Sequence, residues 1–89
     1  MMRYFIIVLR SLTYAQRGEG LLERAGLYAA VTKAPRHLTP EGCGYGVKIR
    51  GKDKDRALKI LRDAGFRVRR LIGIDDEGKA MAVSPVDLP

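Results

Sequence analysis

The chain has a single cysteine, Cys43, and a single histidine, His37, and its most strongly apolar run, Phe5 to Leu9, is short. One cysteine cannot close an internal disulfide, which excludes a disulfide-held secreted scaffold. A run of that length is far below a signal-peptide core or a membrane span, so the sequence predicts a cytoplasmic protein with no membrane partner. No serine–histidine–acid set and no zinc-ligand cluster is legible. Gly51-Lys52-Asp53-Lys54 lacks the Gly-x-x-x-x-Gly-Lys-Ser/Thr spacing of a phosphate-binding loop. Asp75-Asp76-Glu77-Gly78 matches no calcium loop and reads as a turn. These absences point away from classical catalysis and toward a binding protein, with no cofactor and no metal expected.

What remains is compact in size and strongly basic. Eighty-nine residues, 46% hydrophobic and 30% charged, make one small globular domain, residues 1–89, with a core over about 3–75 and a C-terminal hairpin and tail over 76–89. A chain this short buries only roughly 60–65% of its unfolded surface, which leaves little room for an internal cofactor. The net charge of +7 is uneven: residues 48–70 hold ten basic and three acidic side chains, whereas residues 71–89 hold one basic and four acidic. Lys48, Arg50, Lys52, Lys54, Arg56 and Lys59 form a stretch that would dock an acidic partner, whether protein, nucleic acid or small anion. A solvated basic surface with no partner accounts for the same composition.

The pattern along the chain is an alternation of strands and helices with a weak internal repeat. Leu21-Leu22-Glu23-Arg24-Ala25-Gly26-Leu27 resembles Ile60-Leu61-Arg62-Asp63-Ala64-Gly65-Phe66, and both read as a helix end, a terminating glycine and a strand start. The first strand, Arg3 to Arg10, is apolar on both faces and therefore central. Ser11 or Thr13 caps a helix over about 12–25, within which Gly18 and Gly20 each cost about 1 kcal/mol against alanine unless they permit close packing. Strands follow over 28–33 and 44–50, the latter alternating with Tyr45, Val47 and Ile49 on one face. Asp53 is the expected cap of a second helix, about 54–64, before strands over 66–74 and 79–83. The order predicts an α+β fold, a ferredoxin-like two-layer sandwich, βαββαβ with a short C-terminal hairpin strand. The outer face of the first strand (Tyr4, Ile6, Val8) then needs cover from the tail or from a second copy, a homodimer through the open sheet face.

Cys43 sits in Pro35-Arg36-His37-Leu38-Thr39-Pro40-Glu41-Gly42-Cys43-Gly44. A lone cysteine is normally an inert filler. Flanking glycines and a basic, proline-containing loop favour a reactive thiolate instead. In the expected sandwich the start of the third strand lies beside the end of the first. That brings Cys43 near Arg10, Ser11 and the first turn of the first helix, where free N–H groups favour an anion. Arg10, Arg36 and His37 add positive charge, and each contribution lowers a thiol pKa from its reference near 8.5. Gly42 and Gly44 leave the sulfur approachable. Arg36 equally suits pairing with Glu41, and an isolated histidine is more often a packing or surface residue than a base.

At this point the chain resembles a family of small proteins described as selenium/sulfur carrier-like. The resemblance covers roughly residues 3–75 and rests on Phe5-Ile6-Ile7-Val8-Leu9-Arg10-Ser11, Ala15 and Glu19, Ala25-Gly26, Pro35-Arg36 and Cys43-Gly44. The Pro-Arg loop with Cys-Gly following is its specific part. The family often carries serines before the cysteine, where this chain has Thr39-Pro40-Glu41-Gly42, and the Cys-Pro-x-Pro motif of other small sulfur-relay carriers is missing. The resemblance implies a carrier that holds sulfur or selenium on Cys43, with donor and acceptor proteins as partners. Two alternatives stand beside it. One is a basic nucleic-acid-binding sheet, against which the third strand offers Gly46 and Lys48 in place of aromatic stackers beside Tyr4. The other is a dimeric anion-binding regulatory module, which is fold analogy alone.

Overall fold

The computed structural model describes residues 2–39 and 44–83. The chain runs β1 (Met2–Val8), α1 (Leu12–Arg24), β2 (Ala30–Lys33), β3 (Tyr45–Arg50), α2 (Lys54–Asp63), β4 (Arg70–Asp75) and β5 (Ala80–Ala82). Short 3-10 turns occupy Arg36–Leu38 and Gly51–Asp53. The five strands form one antiparallel sheet in the order β2-β3-β1-β4-β5. The apolar run predicted to be central is central: β1 is bonded to β3 on one side and to β4 on the other.

Strand alternation divides the sheet into two faces. Phe5 and Ile7 of β1, Leu9 just after it, Val47 and Ile49 of β3 and Leu71 of β4 join Ala15 and Leu22 of α1 and Ala57, Leu58 and Leu61 of α2 in one buried cluster. Both helices therefore pack on the same face. Gly18 is buried there because a Cβ would stand 3.2 Å from Leu9 and 3.4 Å from Leu61, so the helix glycine serves close packing. Both helices end in the same way. Gly26 and Gly65 take φ of +84° and +87°. Gly26 and Leu27 donate to Glu23 and Leu22, and Gly65 and Phe66 donate to Arg62 and Leu61. The sequence repeat is this cap, used twice to turn a helix back onto the sheet.

Two expectations need correction. Asp53 makes no side-chain capping bond to α2, because the Gly51–Asp53 turn leads directly into the helix and takes the capping residue out of an extended conformation. β4 starts at Arg70 rather than at residue 66, since its partner β1 ends at Val8 and the last bond between them is Arg69 N–H to Val8 O at 2.9 Å. On the outer face of β1, Leu38 of the Pro-Arg turn packs with Ile6, Val8, Ala34 and Ile72, while the tail expected to cover this face, residues 84–89, lies outside the described residues. The predicted turn at Asp75–Gly78 forms, with Asp75 Oδ1 accepting from the backbone of Glu77 and Lys79, each at 2.9 Å.

Candidate functional site

The site predicted from the sequence lies at the end of the sheet where β1 finishes and β3 begins. Cys43 and Gly42 lie outside the described residues. Gly44, the next residue in the chain, is fixed on both sides. Its carbonyl accepts from Ala34 N–H, and one residue further Leu9 N–H donates to Tyr45 O at 3.1 Å. The β1–β3 register, Val8 opposite Gly46, is thereby carried on to Leu9 opposite Tyr45. Arg10 and Gly44 leave the sheet from neighbouring positions. Position 43 is thus attached by one peptide bond to a point held between the ends of β1 and β2.

The Pro-Arg loop is anchored just beside Gly44. Thr39 is 3% exposed, donates from its hydroxyl to Pro35 O at 3.1 Å, and lies where a Cβ on Gly44 would be 3.8 Å from its Oγ1. Leu38 holds the turn to the outer sheet face, while Arg36 and His37 remain exposed. Ser11 belongs to the other side of this end. Its Oγ accepts from Tyr14 N–H at 3.3 Å and caps α1, whose first turn contains no acidic residue. The sequence-predicted residues thus form a frame: Arg10 and the α1 cap on the helix side, and Arg36 and His37 toward the outer side.

A cleft of about 650 Å³ opens beside this frame, lined by Leu9, Arg10, Tyr14, Phe66, Arg67 and Arg69 among others. Among the described residues no carboxylate lines it. Tyr14 and Phe66 meet edge to face with ring centres 6.0 Å apart, and the guanidinium groups of Arg10 and Arg17 stand 5.9 and 5.6 Å from the Tyr14 ring. Arg67 and Arg69 are exposed and have no ion-pair partner among the described residues. Three guanidinium groups around one opening make a cleft suited to an anion. Sequence reasoning missed Arg67 and Arg69 because they alternate with Phe66 and Val68, which reads as a strand. The signal that identifies them is the end of the partner strand at Val8, and it is visible only in three dimensions.

The six residues assigned to partner docking do not make one surface. Lys48 and Arg50 face away from the helices, opposite Ile6 and Tyr4 of β1. Arg56 donates to Ala25 O at 3.3 Å, Lys59 pairs with Asp63 at 3.1 Å, and both belong to the helix layer. Lys52 and Lys54 stand at the opposite end of the sheet from Gly44, around a second cleft that also includes Arg3 and Tyr4. Lys54 pairs with Asp55 at 3.8 Å.

A structural role also emerges for Glu19. Its carboxylate accepts from Val31 N–H at 2.9 Å, tying α1 to the edge strand β2. Ala15, four residues earlier, is fully buried in the core beneath.

Comparison with family models matches residues 4–72 to the family described as "Putative Se/S carrier protein-like". The chain belongs to that family. The matched span runs from β1 into β4 and contains the Pro-Arg loop, Cys43 and Gly44. No curated protein and no solved structure matches the chain. Among the described residues no group of three His, Cys, Asp or Glu side chains is placed to hold a metal, and no helix is long and apolar enough to cross a membrane.

Proposed function

We propose that this protein accepts sulfur or selenium on Cys43 and hands it to a partner protein. Family membership over the span that includes Cys43 carries the reading. The strand order and the placement of both helices on one face support a ferredoxin-like sandwich, in which the start of β3 lies beside the end of β1. The donor is a protein or small-molecule persulfide. The Cys43 thiolate attacks the donor's terminal sulfur, a new S–S bond forms, the donor's own S–S bond breaks, and the electron pair leaves with the donor thiolate. Transfer onward is the same exchange with Cys43 as the leaving thiolate, and a terminal selenium moves in the same way. No external oxidant is consumed.

Each part of the frame has a task in this chemistry. The lone cysteine leaves no second thiol in the chain to collapse the adduct into a disulfide. Arg10, Arg36 and the α1 N-terminus favour the anionic thiolate and the anionic persulfide. Arg67 and Arg69 extend that positive field from the cleft, where an anionic group of the donor or acceptor would be held. His37 is exposed beside Arg36, and in this reading it would meet a docked partner. The test is intact-mass spectrometry after incubation with a persulfide donor. The wild-type chain is expected to gain one sulfur atom that a thiol reductant removes, and Cys43→Ser is expected to gain none. Equal loading of the variant would remove Cys43 from the mechanism.

A further inference from the structure

The outer face of the sheet, at the end away from Gly44, carries two tyrosines and a group of cations that the carrier chemistry does not use. Tyr4 of β1 and Tyr28, two residues before β2, lie with ring centres 6.5 Å apart. Lys48 Nζ stands 4.3 Å from the centre of the Tyr4 ring, and Arg50 stands 5.4 Å from that of Tyr28. Arg3 stands 5.7 Å from the Tyr4 ring, beside the register shift between Met2 and Tyr4. Such an irregularity re-aims a side chain that regular alternation would send to the opposite face.

Cations outnumber carboxylates on this face. Among the described residues the ion pairs are Lys54–Asp55 and Lys59–Asp63, so Arg3, Lys48, Arg50 and Lys52 are in neither. Tyr28 is 43% exposed, which is high for a ring that packs for stability alone. A cleft of about 650 Å³ adjoins Tyr4 and takes in Arg3, Arg50, Lys52 and Lys54 against a single carboxylate among the described residues, Asp76. Clustered like charges repel one another, and a polyanion laid across them relieves that repulsion.

We propose that this face binds single-stranded nucleic acid, with bases stacked on Tyr4 and Tyr28 and phosphates on Arg3, Lys48, Arg50 and Lys52. Aromatic rings within a cationic groove are what an unpaired strand requires: every base has a π face, and every nucleotide brings a charge. A duplex hides its base faces, so the tyrosines would contribute nothing to it. An acidic protein surface would use the cations and leave the rings idle. An exposed cation–ring contact is weaker than a stacked base, so Lys48 and Arg50 can move from ring to phosphate as the strand binds.

The experiment is fluorescence anisotropy with a fluorescein-labelled ten-nucleotide oligouridine RNA and the full chain. Binding is expected to be saturable at about 50 mM salt and to fall steeply by about 200 mM. Tyr28→Ala, which removes no charge, is expected to weaken binding about tenfold through lost stacking. Lys48→Ala and Arg50→Ala are each expected to weaken it and to lower the salt slope by about 0.7. Arg24→Ala combined with Arg62→Ala removes two charges from the helix layer and is expected to change nothing, as is Cys43→Ser. The proposal is overturned by absence of binding at low salt, by an undiminished Tyr28→Ala, by an equal loss in the helix-layer variant, or by equal affinity for a duplex or for polyglutamate. Unchanged thermal melts of Tyr28→Ala and Arg50→Ala would exclude unfolding as the cause of a loss.

Discussion

Glu19 shows how a single residue can be legible as a pattern while its reason stays hidden. The sequence marks it within a helix, four residues after Ala15, as part of the family likeness. Only the structure shows its carboxylate accepting the Val31 N–H of the edge strand. Removing one partner leaves a part-buried backbone donor unsatisfied. Glu19→Ala is therefore expected to cost about 1–3 kcal/mol, and Glu19→Gln less because it keeps an acceptor. A lowered urea midpoint with faster exchange of the Val31 amide checks this; unchanged exchange would mean that the bond contributes nothing in solution. Asp53 is the opposite case. Its position before an amphipathic run reads as a cap, but the 3-10 turn that it closes denies the side chain that geometry. Thr39 was legible only as a departure from the family's serines. Its buried hydroxyl closes the Pro-Arg turn on itself and stands against Gly44.

At the scale of elements, helix ends are legible in local sequence and the limits of strand pairing are not. The Ala-Gly repeat announced two helix ends, and both form the same left-handed glycine cap. Any residue with a Cβ pays for that conformation, so Gly65→Ala is expected to destabilise the fold by about 1–2 kcal/mol. Gly20→Ala, in open helix, is expected to stabilise by about 1 kcal/mol. Thermal melts of the two variants moving in opposite directions would check the assignment. The strand limits failed because alternation continues where hydrogen bonding stops. Residues 66–69 alternate as a strand does, yet β1 has no further residues to pair with them, and the freed segment lines the arginine cleft instead. Tyr28 was likewise read as the first residue of a strand that begins at Ala30. Its proximity to Tyr4 depends on the β2–β3–β1 order, which no local pattern contains.

The whole molecule distributes one basic stretch of sequence over three places. Residues 48–70, read as a single docking patch, contribute Lys48 and Arg50 to the outer face, Arg56 and Lys59 to the helix layer, and Arg67 and Arg69 to the cleft beside the β1 end. Net charge was legible from composition, but its partition required the topology. The central claim concerns the corner where this positive field meets the entry to β3. The proposed function requires that Cys43, joined to Gly44, be a thiolate favoured by Arg10, the α1 N-terminus and the cleft arginines. The measurement that tests it most directly is the pH dependence of Cys43 alkylation, which is unambiguous because the chain has no other thiol. The account predicts an apparent pKa at least about one unit below the ordinary value near 8.5. It predicts a rise toward that value in Arg10→Ala and in Arg67→Ala combined with Arg69→Ala, and a smaller rise in concentrated salt. A thiol that titrates at or above about 8.5, indifferent to those arginines, would contradict it.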